Sequence, residues 1–218
     1  MNKKYSWLHH ILNFMGVILG VYLAFYINDR AQQIDDQKER VLLINSMIND
    51  LSADIKAYED YQIPINIQYK ASIDSMLFFA SLNRRQDMNR LLPTIFQVEN
   101  YTPTTSTYNS IKSSGKINLL KDLKLQNQLS DYYDGLVIEC MKKSELQADF
   151  FMEEVVQWTM QNADLSEMKL QRGVDLRLLK NTLLIYQSVV DQKIRNYQMI
   201  VETSEQLKES LEAALQSK

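Results

Sequence analysis

The chain has 218 residues, a formal net charge of −3, and only 5 Gly, 3 Pro and 1 Cys. The small negative charge and the lack of a dense basic run argue against nucleic-acid binding, and a single thiol excludes a disulfide within the chain. Because Gly and Pro are so few, long helices are favoured over sheets and turns, and we expect an all-α protein.

The first predicted element is a membrane span at residues 8–27, LHHILNFMGVILGVYLAFYI. Its length matches the about 20 residues that a helix needs to cross the apolar part of a bilayer. Residues 11–27 carry no charge, and Asn13 is their only strongly polar side chain. A helix satisfies its own backbone groups in lipid, and no A-x-A-like cleavage site follows, so we expect a transmembrane helix and not a cleaved signal.

The segments that flank the span predict its orientation. Basic residues are almost equally frequent on its two sides, so the positive-inside rule decides little. Residues 1–7 form a short tail and residues 28–218 form a long domain, an arrangement typical of an uncleaved signal-anchor. We therefore expect the tail in the cytoplasm and the domain across the membrane.

One face of the span carries small and polar residues at spacings of three or four: Asn13, Gly16, Gly20 and Ala24. Small residues let two helix backbones approach closely, and Asn can hydrogen-bond across a helix pair. We expect this face to contact another span, in a partner membrane protein or in a second copy of the chain. The alternative is the ordinary use of glycine in membrane helices.

Three long helices are expected in the domain, at about residues 28–62, 119–161 and 175–215. The first has apolar residues at seven-residue spacing, which is typical of a coiled-coil-like seam. These residues are Ile34, Val41, Ile48 and Ile55, with Ile44, Leu51 and Tyr58 at the complementary positions. Pro64 is expected to end this helix, because its ring disfavours helix at the preceding residue.

The last long helix carries an apolar stripe that Lys193 and Ser204 interrupt. Its apolar members are Leu183, Tyr186, Val190, Tyr197, Ile200, Leu207 and Leu211. Most of a helix's stability comes from burying such a face, so this helix needs a partner. We expect an antiparallel bundle within one chain or a seam shared between chains, which the heptad pattern does not distinguish.

Shorter elements lie between these helices. Residues 99–106, ENYTPTTS, are expected to form a loop, because hydroxyl side chains and Pro103 compete with helix. Gly115 is expected to adopt a left-handed conformation in a turn after a short helix. Asp164 and Glu167 have the spacing of a capping box and predict another short turn of helix.

Two stretches of the sequence resemble a family of uncharacterised bacterial proteins with one amino-terminal span and a helical remainder. Residues 107–133, TYNSIKSSGKINLLKDLKLQNQLSDYY, resemble the motif Y-x-x-[LI]-K-S-S-G-K-[LI]-x-L-[LI] followed by a leucine and paired tyrosines. Residues 16–28, GVILGVYLAFYIN, resemble the stretch G-x-L-[IL]-A-x-x-[IV]-N, although Tyr26 and Asn28 depart from its usual aliphatic and Trp-containing exit. The resemblance implies a membrane-anchored helical protein of unknown function and supplies no catalytic residues. Together with the orientation expected above, it leads us to expect a span in a bacterial inner membrane and a periplasmic domain.

The sequence lacks complete motifs for catalysis, cofactor binding or metal binding. A phosphate-binding loop at Gly115 and Lys116 would need Gly at position 110 and a hydroxyl at 117, where Ser and Ile stand. His9 and His10 point about 100° apart on a helix and cannot share one metal, and Cys140 is the sole thiol. We therefore expect no catalytic, cofactor-binding or metal-binding residues, and a protein that is not an enzyme.

The family-like turn is the second candidate contact site, because exposed loops often carry function. Its residues are Tyr108, Lys112, Ser113, Ser114, Gly115 and Lys116. The leading expectation is a membrane-anchored structural or interaction subunit that lies in lipid and docks on another membrane protein or on itself. The second is a signalling or gating component that transmits displacement through the membrane-to-domain helix, and the third is a membrane-anchored enzyme of unknown type.

Overall fold

The structure is a computed structural model that describes the backbone of residues 3–216 and the side chains of Trp7 and of residues 10–216. The side chains of Lys3, Lys4 and His9 lie outside that set. Helix dominates the described residues, and the only strands among them are two residues long, so the all-α expectation is confirmed.

The first helical run continues well beyond the predicted end at residue 62. Helix α1 (Lys3–Ala57) passes through a π-helical turn (Tyr58–Gln62) into α2 (Ile63–Ser81). Pro64 has no N–H, and its ring would clash with the carbonyl four residues earlier in a regular α-helix. In the wider π turn the Ile63 N–H bonds to the Tyr58 oxygen, five residues back. The π turn accommodates Pro64 within a continuous helical run, so the helix does not end at the residue expected from the sequence.

Shorter helices follow. Helix α3 (Arg85–Ile95) packs on α2, residues 96–105 form a loop, and α4 (Ser106–Ser113) leads into a 3₁₀ turn at Lys116–Leu120. Between α4 and the 3₁₀ turn, Gly115 has φ +72°, which confirms the left-handed conformation expected from the sequence.

The second helical run consists of three α-helices joined by π turns. These segments are α5 (Leu123–Ser130), a π turn (Asp131–Leu136), α6 (Val137–Phe150), a π turn (Phe151–Val156) and α7 (Gln157–Asn162). The run begins four residues later than the predicted start at 119, because Lys121 has a φ of +57° and interrupts helix. Asp122 then caps α5 by accepting a hydrogen bond from the Lys124 N–H at 2.8 Å.

A two-stranded hairpin stands where a capped helical turn was expected. Strands β1 (Ala163–Asp164) and β2 (Lys169–Leu170) pair antiparallel. The Asp164 carboxylate does accept local hydrogen bonds, from the Ser166 N–H at 2.9 Å and the Glu167 N–H at 3.3 Å. These bonds close the turn of the hairpin instead of starting a helix. The prediction of a helical turn was therefore wrong, although Asp164 does accept hydrogen bonds from nearby N–H groups as a capping residue would.

Helix α8 (Leu176–Gln216) packs against α1, α2 and α6. Its direction is antiparallel to the first run, since the Arg40 side chain binds the Ala214 oxygen while Lys70 lies 3.9 Å from Asp191. All nine positions of the predicted stripe are buried, including the polar exceptions Lys193 and Ser204. On α1 the buried stripe starts at Arg40, and Ile34, placed in the seam by its spacing, is 56% exposed.

The core has two parts, which follow one another along α8. The part nearer the amino-terminal half of α1 is centred on Leu51, Tyr58 and Tyr197, and the distal part on Met76 and Tyr186. The domain thus begins at about Arg40, and α1 residues before it contribute no buried side chain among those described.

Within the described residues, one helix is long and apolar enough to cross a membrane. The run beginning at His10 contains an 18-residue stretch of mean hydropathy 1.8, none of which is buried. Between the end of the predicted span at Ile27 and the start of the domain at Arg40, the helix rises about 20 Å.

Candidate functional site

The predicted contact face of the span is open along its length. Asn13, Gly16, Gly20 and Ala24 are exposed, and a Cβ atom built on either glycine would meet no other atom within 4 Å. At 100° per residue, the four positions fall within an arc of about 80° on the helix. The face therefore offers a smooth strip on which a second helix backbone could lie closely.

The family-like turn divides into buried and exposed residues. Tyr108 is only 2% exposed, so its ring belongs to the core of this chain. Lys112, Ser113, Ser114, Gly115 and Lys116 are exposed. Only these five residues therefore present a surface to a partner.

Asp134 explains why the motif contains a tyrosine and a lysine four residues apart. Its carboxylate Oδ2 accepts hydrogen bonds from the Tyr108 hydroxyl and the Lys112 ammonium, both at 2.7 Å, and from the Ser130 hydroxyl at 3.1 Å. The Lys112 bond, followed by the Tyr108 bond, lowers the pKa of Asp134. The Tyr108 ring also stacks on Tyr133, with centroids 4.5 Å apart. The motif thus fastens α4 to the first π turn of the second helical run.

The second lysine of the turn reaches the first helix. Lys116 Nζ lies 2.5 Å from Glu39 Oε1, one residue before the domain begins. Both side chains are partly exposed, so solvent screens this pair and its contribution to stability is small. Its main effect is positional, because it fixes the turn beside the segment of α1 that leads to the span.

A second cluster of polar side chains, which the sequence analysis missed as a site, holds the loop at residues 96–105. Lys193 is completely buried and donates to the Glu99 main-chain oxygen at 2.7 Å, to Asn100 Oδ1 at 2.9 Å and to Gln147 Oε1. No carboxylate of the described residues forms an ion pair with it. Burial without a counter-ion lowers the pKa of Lys193 to about 7.

Asp54 holds the other end of the same loop from α1. Its buried carboxylate accepts hydrogen bonds from the Tyr101 hydroxyl at 2.7 Å, the Thr104 N–H at 2.8 Å and the Thr104 hydroxyl at 3.1 Å. Burial raises the pKa of Asp54, and these hydrogen bonds oppose that rise. The loop is therefore positioned by side chains of the two long helices beneath it.

The sequence contains a signal for both of these residues. Lys193 interrupts an apolar stripe, and a charged side chain on a buried face requires internal partners. Asp54 follows Leu51 by three residues and precedes Tyr58 by four, which places it on the same face. The heptad spacing of α1 therefore places a carboxylate on the buried face of that helix.

Groups for metal or thiolate chemistry are not assembled in the described part of the chain. No three His, Cys, Asp or Glu side chains within it are placed to hold a metal ion. Cys140 is buried, and burial raises its pKa to about 11, so it is a neutral thiol packed near the Tyr58 hydroxyl.

Comparison of the whole chain with protein-family models, with curated proteins and with solved structures found no match.

Proposed function

We propose that this protein is an interaction subunit anchored in a bacterial inner membrane by a single span, with a periplasmic domain built as an antiparallel helical bundle. It docks on another membrane protein or on a second copy of itself. The observation that carries this proposal is a difference between the two parts of α1. Its first part contains an apolar segment with no buried residue, and its second part contributes side chains to the core of the domain.

The exposed apolar surface of the first helix supports a lipid environment. Large apolar side chains cover most of its circumference outside the strip of small residues, so a single partner helix in water could not bury them. They are Leu12, Phe14, Met15, Val17, Ile18, Leu19, Val21, Tyr22, Leu23, Phe25, Tyr26 and Ile27. Lipid solvates all sides of such a helix, which accounts for this pattern.

The face of Asn13, Gly16, Gly20 and Ala24 supports association within the membrane. In lipid, helix pairing depends on close packing and interhelical hydrogen bonds, and this face supplies small residues and one amide. The domain's long helices already bury their stripes against each other inside one chain. Association through the span therefore does not compete with the folding of the domain.

The first experiment tests membrane anchoring. The full chain, expressed in bacteria, should float with membranes in a density gradient and resist extraction at high pH. Recovery of the intact protein in the soluble fraction would contradict the anchor. Two reporters fused to the carboxyl terminus test the orientation. A reporter that is active only in the periplasm should show activity, and one that is active only in the cytoplasm should not. The opposite result would mean that the domain lies in the cytoplasm.

The second experiment tests the contact face. Gly16→Leu with Gly20→Leu should shift the detergent-solubilised protein to a smaller assembly in sedimentation, because the added side chains separate the helix backbones. The matched control is Met15→Leu with Tyr22→Leu, which changes side chains about 180° away from Asn13 on the opposite side of the helix. Equal assembly sizes for the two double variants would contradict the proposed face.

A gating or signalling role is the second candidate, and the unbroken helical run from the span into the domain favours it. The run passes through a π turn at Tyr58–Gln62, a feature that is frequent at functional sites. Spin labels at exposed Ile67 and Met199 would report on the two sides of the domain. Two distance populations in membranes would favour a transmitter, whereas one narrow distance would favour a fixed subunit.

A further inference from the structure

A cavity of about 460 Å³ lies where the first helix enters the domain. Side chains from three parts of the chain line it: Gln37 and Arg40 on α1, Leu120, Lys121 and Asp122 in the turn before α5, and Ser210, Ala213 and Ala214 on the last turns of α8. A second cavity of about 480 Å³ adjoins it, because Gln37 and Lys121 line both. Arg30 and Lys38 lie in this second cavity, on the side towards the span.

Arg40 is the first indication of a ligand in this place. The residue is only 7% exposed, and its one hydrogen bond to the described residues runs from Nη2 to the Ala214 oxygen at 2.6 Å. Among the described residues its buried Nε has no hydrogen-bond partner, and none of their carboxylates forms an ion pair with the guanidinium. A buried charge without a counter-ion is costly, and an anion in the cavity would relieve that cost.

Lys121 is the second, independent indication. It is one of the few residues other than glycine with positive φ, at +57°, a conformation that costs energy for an L-residue. Strain of this kind is concentrated at functional sites, where the surrounding structure holds a side chain in place. Here it fixes a lysine at the boundary between the two cavities.

The charges that line both cavities are mainly positive. Arg30, Lys38, Arg40 and Lys121 are the cations. The one lining acid, Asp122, already accepts a hydrogen bond from the Lys124 N–H as the cap of α5. Asp35, which does not line the cavities, lies 3.2 Å from Lys38 and neutralises part of that charge. An anion with several oxygens that more than one cation can contact, such as a phosphate group, fits this arrangement better than a single carboxylate.

We propose that these two cavities form a binding site for a phosphate group carried by a small organic ester. The planar fork of Arg40 and the point charge of Lys121 are complementary to phosphate oxygens. The group has two candidate sources, a phospholipid headgroup and a free phosphate ester. Arg30 lies about 5 Å along the helix from Ile27, the end of the predicted span, and so at the depth of lipid headgroups. Arg40 lies about 20 Å from Ile27 along the same helix, beyond that depth. The headgroup source rests on the membrane anchor proposed above, whereas the free phosphate ester does not, because the residues that line the two cavities lie outside the predicted span.

The test uses the full chain in a neutral detergent and isothermal titration calorimetry. Two probes are titrated, glycerol 3-phosphate and the soluble lipid dihexanoyl-phosphatidylglycerol. Saturable binding is expected, and it should weaken about tenfold or more in Arg40→Gln, since a hydrogen-bonded charge contributes on that order. Lys121→Asn should weaken it similarly, because Asn tolerates the left-handed conformation and removes only the charge. The control Lys124→Gln removes an exposed lysine that does not line either cavity and should bind normally.

The outcomes distinguish a lipid headgroup from a free phosphate ester as the ligand, and they also show whether the proposal fails. Binding of both probes supports a site for phosphate esters in general, and binding of the lipid alone supports a headgroup site. Lack of saturable binding by both probes would overturn the proposal. Arg40→Gln could unfold the domain because Arg40 is buried; in that case the exposed Lys121→Asn decides, and wild-type affinity in that variant would overturn the site.

Discussion

Asp54 on α1 and Lys193 on α8 are buried groups of opposite charge that hold two ends of one loop instead of pairing with each other. Asp54 accepts the Thr104 N–H, and Lys193 donates to the Glu99 main-chain oxygen. Each charge is therefore satisfied by the loop's backbone and by neutral side chains. This arrangement makes the loop part of the folded core, although its composition alone is typical of an exposed connection.

Lys193 should make the stability of the domain depend on pH. Its pKa is lowered from 10.5 to about 7 in the folded chain, so between those values the unfolded chain holds a proton that the folded chain has lost. Unfolding then takes up a proton, and the folded state gains stability as the pH rises from 7 towards 9. Urea unfolding at pH 7, 8 and 9 should show this rise in the wild type and a smaller one in Lys193→Met. Equal pH dependence in the two proteins would exclude Lys193 as its source.

Tyr101 should contribute to stability through its hydrogen bond to Asp54. Tyr101→Phe removes a donor to a buried carboxylate, and such bonds are worth about 2 kcal/mol. Chemical unfolding followed by circular dichroism should show a loss of that size. Tyr61→Phe is the control, because the Tyr61 side chain is exposed and should tolerate the change. Equal stability of the two variants would mean that the bond to Asp54 contributes little.

Gly115 and Gly135 should respond oppositely to the same substitution. Gly115→Ala should cost about 1 kcal/mol, because φ is +72° and an added Cβ strains that conformation even with open space around it. Gly135→Ala should stabilise the chain by about 0.5–1 kcal/mol, because this glycine lies in the helical run with open space around it. Thermal unfolding of both variants measures the difference, and shifts in the same direction would contradict this account.

Lys116→Gln should loosen the turn beside the first helix with little effect on global stability. Its ion pair with Glu39 is partly exposed, so we expect a loss below about 1 kcal/mol. Amide hydrogen exchange should nevertheless accelerate in residues 113–118, because the turn loses its link to α1. Lys169→Gln breaks an exposed pair in the distant hairpin and should leave this exchange unchanged. Unaltered exchange in Lys116→Gln would show that the pair does not restrain the turn.

The helical class and the buried face of α8 could be predicted from sequence because both depend on local composition and period. The end of the first helix could not be predicted in this way. Pro64 is incompatible with a regular α-helix, but a π turn accommodates it, and formation of that turn depends on the neighbouring packing. Asp164 shows the same limit, since its local hydrogen bonds suit either a helix start or a hairpin turn.

The candidate sites divide in a similar way. Spacing alone identified Gly16 and Gly20 as one face of a helix, since helix geometry fixes that relationship. Spacing could not bring Arg40 to Lys121 or Tyr108 to Asp134, because those contacts join segments far apart in the chain and arise only from tertiary packing.

The absence of a break between Ile27 and Ser81 has a mechanical consequence. A rise of 1.5 Å per residue places the end of α2 about 80 Å along the helix from Ile27, where the predicted span ends. Tilting this helical run by about 10° about Ile27 would move its far end sideways by about 14 Å. A small change of tilt at Ile27 would therefore become a large displacement near the hairpin of β1 and β2, which Arg85 joins to the end of α2 through its bond to the Gln171 oxygen.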